Sequence, residues 1–153
     1  SGRSGIDGIL ALCTSPSPAG AHARAMKLLP AVVLALCALG FLGFGLWLLV
    51  DPAAALAKIG INASSAVGLV ELRAFYGGME LGLGLFVGWC ALRPDWQAAG
   101  LWLVVLANGG AGLARLLAAG LGGAALGGYL GWALLWELGF AALGGLGLYG
   151  KQA

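Results

Sequence analysis

Charge is what this chain has least of. Eight basic and six acidic residues in 153 make it 9% charged, where a water-soluble domain needs about 25% to cover its surface. The basic residues are also too few and too scattered to form the clustered basic face that nucleic acid requires, which excludes nucleic acid as a partner. Histidine is almost missing. The single one, His22, precedes every candidate span, so no histidine of this chain can hold a haem or chlorophyll inside a membrane. Cysteine is scarce as well. Cys13, Cys37 and Cys90 share no ligand-like spacing, and two of them lie in apolar runs, where a free thiol behaves as a small hydrophobe. Neither a disulfide nor a metal site is expected, and no cofactor is implied, although lipid or quinone contacts are compatible with so apolar a chain.

What is present in excess is hydrocarbon: 61% of the residues are hydrophobic. The lipid bilayer is therefore the expected environment, and the expected fold class is all-α, an integral membrane four-helix bundle with one short interfacial helix. The first span covers residues 28–50 without a charge, ~34 Å at ~1.5 Å per residue, enough to cross a bilayer and too long for the apolar region of a signal peptide. Asp51-Pro52 ends it, because proline disfavours helix in the residue before it and opens a new one well. Residues 53–59 read as the short interfacial helix. Turn and capping residues over 62–68 then precede a second span at 71–92. Arg93-Pro94-Asp95 breaks the chain before a third span at 96–119, and the glycine-rich stretch 120–128 leads to a fourth at 129–149. Residues 1–25 lack this pattern and read as an N-terminal extension or leader before Met26-Lys27, which leaves 26–153 as a single domain. If ordered, such an extension needs a partner surface to hold it, since unanchored termini are mobile.

Four spans place both termini on one side. Arg24, Lys27, Arg93 and Lys151 fall on that side, and the positive-inside rule makes it cytoplasmic, in a bacterial inner membrane. Trp47, Trp89, Trp96 and Tyr149 lie near span ends as an aromatic belt would, whereas Trp132 and Trp136 fall within the fourth span.

The few charges inside the spans are the candidate site, because a charged side chain at the centre of a spanning helix costs roughly 2.5 to 3.5 kcal/mol and so needs a partner in the bundle interior. Glu80 lies ~13 Å along the second span from Glu71, Glu137 ~12 Å along the fourth from Tyr129, and Arg115 ~6 Å from the end of the third. Their heads converge, with Arg115 as the better partner for Glu80. Asn108, two turns deeper on the Arg115 face, is placed to cap the cluster by an interhelical hydrogen bond. Arg73 leans away from Glu80 and is expected to snorkel to the surface or to meet Glu71 across a turn. Such a cluster is either a structural ion-pair network that fixes helix register or, with two acids sharing one arginine, a site for a proton-coupled step or a polar ligand. Glu80-Leu-Gly and Glu137-Leu-Gly hint at an internal two-plus-two repeat.

The 29 glycines lie mostly inside apolar runs. Gly-x-x-x-Gly pairs at 78/82, 84/88, 123/127 and 127/131 read as close helix packing, and no nucleotide loop is implied without a strand before them.

The stretch Glu71-Leu-Arg-Ala-Phe-Tyr-Gly-Gly-Met-Glu80-Leu-Gly-Leu-Gly, with Gly112-Leu-Ala-Arg115 and a glutamate in the last helix, resembles a bacterial family of small four-helix membrane proteins known only as a domain of unknown function, distantly similar in plan to the DoxX-like superfamily. The likeness runs over residues 26–149. It implies a four-helix bundle with Glu71, Arg73, Tyr76, Gly77, Gly78 and Arg115 as marked positions, and it brings no activity. Arg73-Ala with Glu80 also resembles the microsomal glutathione transferase signature, but Phe75 and Gly77 stand where that motif carries histidine and asparagine.

Two function classes follow. The first is a non-catalytic accessory or structural subunit of a larger membrane complex, respiratory or photosynthetic for example, with other membrane-protein subunits as partners; no triad or metal constellation is present to which catalytic roles could be assigned. The second is a homo-oligomeric carrier or membrane enzyme, proton-coupled or glutathione-transferase-like, that uses the intramembrane Arg/Glu cluster. The first is preferred on the sequence.

Overall fold

The computed structural model describes residues 18–62 and 65–152, and among them there are helices and no strands. Helix α1 runs Pro18–Val50. Its backbone carries the helix back into the stretch read as an extension, of which residues 1–17, with Cys13, lie outside the described residues. Asp51 then does what its place before proline implies: its side chain accepts the Ala54 N–H at 3.1 Å and Pro52 opens the short helix α2, Pro52–Ala57. Two residues of the following turn, 63 and 64, also lie outside the described residues. Ser65 caps helix α3, Ala66–Leu72, by accepting the Gly68 N–H at 3.0 Å.

The second span departs from expectation in two ways. It starts at Ala66 instead of Glu71, because the Ser65 cap and the apolar residues after it extend the helix by more than a turn. It is also interrupted. Between α3 and α4 (Met79–Ala91) lies a π-helical turn, Arg73–Gly78, in which the Met79 N–H reaches back to the Ala74 carbonyl. The helical path over 66–91 is continuous, but it is not one regular helix, and π turns of this kind recur at functional sites.

A 3₁₀ turn at Pro94–Trp96 leads into α5, Gln97–Gly122. Gly123 closes α5 in the left-handed region at φ 64°, where a side chain would be strained, and the Ala124 N–H bonds to the Ala119 carbonyl at 3.0 Å. Helix α6 follows, Gly128–Gln152. Among the described residues, three segments are long and apolar enough to cross a membrane: Leu28–Val50, Pro94–Gly122 and Gly128–Lys151.

Helix α4 packs along α1, and α5 packs along α6; α6 also meets α1, whereas α6 and α4 scarcely touch. The core is uneven. Val33, Leu34, Val87, Cys90, Leu101, Val104 and Leu148 fill one end, from the N-terminal halves of α1 and α5 and the C-terminal halves of α4 and α6. At the other end only Leu48, Ala55 and Leu56 form a small cluster, beneath α2. Lys151 Nζ donates to the Pro94 carbonyl at 3.0 Å, which ties the end of α6 to the α4–α5 bend at the dense end.

Candidate functional site

Glycine sets how near the helices come and so where the polar groups fall. A methyl group at Gly77 would lie 2.9 Å from the Leu49 backbone, and one at Gly45 would lie 2.9 Å from Glu80 Cβ and from the Leu81 nitrogen. Only hydrogen fits at these two positions, so the π turn and the start of α4 rest on the last turns of α1. Gly112 plays the same part between α5 and α6, with a methyl there 2.7 Å from Leu138 Cδ2 and 3.3 Å from Glu137 Cβ. Of the expected Gly-x-x-x-Gly pairs, 84/88 faces α1, at Leu42 and Ala38, whereas Gly82, Gly123 and Gly127 meet nothing within 4 Å. One of the four pairs thus packs as the motif implies, and the close approaches at Gly45, Gly77 and Gly112 fall outside it.

One turn after Gly112, Arg115 grips Glu137 along one edge of its guanidinium: Nε donates to Oε2 at 3.0 Å and Nη2 to Oε1 at 2.6 Å. This is the strong bidentate form of the pair, and both side chains are largely shielded. The partner assignment expected from depth alone is thus corrected. Arg115 binds Glu137, because α5 and α6 form an antiparallel hairpin that sets the two groups face to face, while Glu80 stands on α4 across a gap.

Arg73 adds a contact that the sequence did not indicate. Of the two alternatives it does not take the Glu71 pair; it is exposed, and its Nε donates to the Leu49 carbonyl at 3.1 Å. Leu49 is next to last in α1, where carbonyls have no partner inside the helix, and a cation there also opposes the negative end of the helix dipole. Glu71 is exposed near the start of this path. Asn108 is buried, and its Nδ2 donates to the Val104 carbonyl at 3.1 Å and to Cys37 Sγ on α1 at 3.6 Å. The interhelical bond exists, but it goes to a thiol instead of the charged groups.

Where α4 and α6 scarcely touch, the bundle holds a partly open cavity of about 680 Å³. Glu80, Asn108, Arg115 and Glu137 all line it, as does Tyr76 from the π turn. The expected convergence of polar groups therefore takes the form of a shared cavity wall, with the two Glu-Leu-Gly triplets contributing their acids from opposite sides. Phe41 and Phe44 of α1 and Leu56 and Ile59 from the α2 region give it an apolar floor. Tyr129, Trp132 and Trp136 complete it along α6, each with much of its ring exposed. The sequence reading passed over these three as a group. Their signal was spacing: positions 129, 132 and 136 share one face of a helix, directly before Glu137. Among the described residues no group of three His, Cys, Asp or Glu side chains is placed to hold a metal ion.

The profile of the family described as Domain of unknown function (DUF4345) matches residues 30–148, and the chain belongs to that family. No curated protein and no solved structure gives a match.

Proposed function

We propose that this DUF4345 protein is a four-span integral membrane protein that holds one amphipathic molecule in the cavity between its helices, acting as a binding protein or carrier. The observation that carries this reading is the cavity itself, about 680 Å³, with an apolar floor and an ionic, aromatic wall. Ligand sites are commonly concave, mostly apolar and furnished with a few convergent polar groups. The size suits a small amphiphile or one chain of a lipid, polar head against Glu80 and the Arg115–Glu137 pair.

The membrane setting is supported by the three long apolar segments and by large exposed side chains such as Leu39, Leu106 and Leu135, which water would not tolerate in such number. The path over 66–91 supplies the fourth crossing at ~39 Å. Lys151 and Arg93 lie at one end of the bundle and Lys58 and Arg73 at the other; with Arg24 and Lys27 before the first span, the basic excess supports termini in the cytoplasm of a bacterial inner membrane.

The test is occupancy. Protein extracted in mild detergent is expected to carry a small molecule at one-to-one ratio by native mass spectrometry, and Ala107→Trp, which fills the cavity, is expected to expel it. Protein that leaves the membrane empty, with Ala107→Trp indistinguishable in the same spectra, ends the reading.

The accessory-subunit reading keeps one observation in its favour: Gly43, Gly82, Gly110 and Gly139 have no neighbour within 4 Å and leave small residues open on four helices, as docking of further helices would use. Co-migration with other polypeptides in fixed ratio on native gels supports that reading, and migration alone removes it.

A further inference from the structure

We propose that the cavity selects a lipophilic monocation. This rests on the ligand-holding reading above and adds the sign of the charge. Among the described residues, three side chains of the strongly charged kinds line the cavity: Glu80 and Glu137 are acids and Arg115 is the one base. Arg115 sets one edge of its guanidinium, Nε and Nη2, against the two oxygens of Glu137. The pair is internally neutral, which leaves Glu80 to decide the polarity of the site, and Glu80 makes no hydrogen bond or ion pair with the described residues.

Its position is held by backbone packing. The Glu80 Cβ sits against Gly45 of α1, and the acid projects from the first turn of α4 into the gap facing α6. Opposite it, Tyr129, Trp132 and Trp136 offer aromatic surface, with Tyr76 beside it on the π turn. Aromatic faces attract organic cations, most strongly when desolvated, and cages of such rings are how quaternary ammonium groups are recognised; the Glu80 carboxylate adds the opposite charge.

An anionic head meets the opposite conditions: Glu137 already balances the charge of Arg115, and Glu80 repels the head. A small inorganic cation finds one carboxylate where it needs several oxygen ligands. A bulky organic cation with delocalised or shielded charge needs neither, and the floor of Phe41, Phe44 and Leu56 takes its apolar part.

The test uses two probes of nearly equal size and opposite sign, tetraphenylphosphonium and tetraphenylborate, titrated into the purified full chain in a neutral detergent while its tryptophan emission and heat of binding are followed. Tetraphenylphosphonium is expected to bind saturably and at least tenfold tighter than tetraphenylborate. Glu80→Gln is expected to erase the preference and Glu80→Asp to keep it, both variants eluting as the parent does. Equal or tighter binding of the borate by the parent chain overturns the proposal without any variant, and so does a preference that survives Glu80→Gln; both outcomes leave the ligand-holding reading standing. Saturable binding of neither probe overturns the proposal, and with protein found empty by mass spectrometry it takes the ligand-holding reading with it.

Discussion

Arg115 and Glu137 are bound to each other at two points in a largely shielded site, so each is most costly when the other is left alone. Arg115→Leu and Glu137→Leu are each expected to lower stability by roughly 1–3 kcal/mol, and the double variant to recover part of the loss, with a coupling of roughly 1–2 kcal/mol in a double-mutant cycle of thermal unfolding in detergent. Strict additivity of the two losses contradicts the pairing. Arg73 belongs to a different class, an exposed donor to one carbonyl. Arg73→Met is expected to cost only about 0.5–1.5 kcal/mol, read in the same melts, and to leave ligand occupancy unchanged. The sequence allowed the polar residues to be found but not paired. Depth along a span comes from counting, whereas the choice between Glu80 and Glu137 depends on which helices lie back to back, and that is set by Gly112, Gly45 and Gly77 at contacts distant in sequence.

At the scale of the element, what the sequence made legible follows hydrophobic length and caps. The Leu28–Val50 segment, the proline-led α2, the Ser65 cap and the Gly123 stop all obey local rules. The π turn does not, since the residues Arg73–Gly78 carry no periodic signal that separates π from α. Its cause lies outside the segment, in the Leu49 backbone against which Gly77 rests and the Leu49 carbonyl that Arg73 binds. Gly77→Ala is therefore expected to destabilise the protein by about 1–3 kcal/mol, the usual cost of overpacking. Gly82→Ala, one turn on and open to its surroundings, is expected to be neutral within ~0.5 kcal/mol or slightly stabilising through helix propensity. Equal effects of the two substitutions in thermal melts contradict the close approach of α1 and the π turn.

Across the whole molecule the plan is a bundle dense at one end and hollow at the other, with aromatic and basic side chains near both. Trp89 and Trp96 meet at 4.9 Å with their rings tilted, beside Arg93, and Lys58 lies 5.0 Å over Trp47, as residues anchored at the two interfaces of a bilayer would. In a Cys13→Ser, Cys37→Ala, Cys90→Ala background, Lys58→Cys is expected to react with an impermeant maleimide from outside intact cells, and Lys151→Cys only after the membrane is opened. Labelling of both from one side contradicts four crossings. Family membership covers residues 30–148, so this plan, including the hollow end, falls almost entirely within the shared domain.

The bond from Lys151 to the Pro94 carbonyl fastens α6 to the α4–α5 bend at the dense end, while α4 and α6 scarcely touch along their length. The two helices are joined like the arms of a spring peg, at the base and not at the mouth. On the ligand-holding proposal, a guest is expected to enter sideways, between those arms.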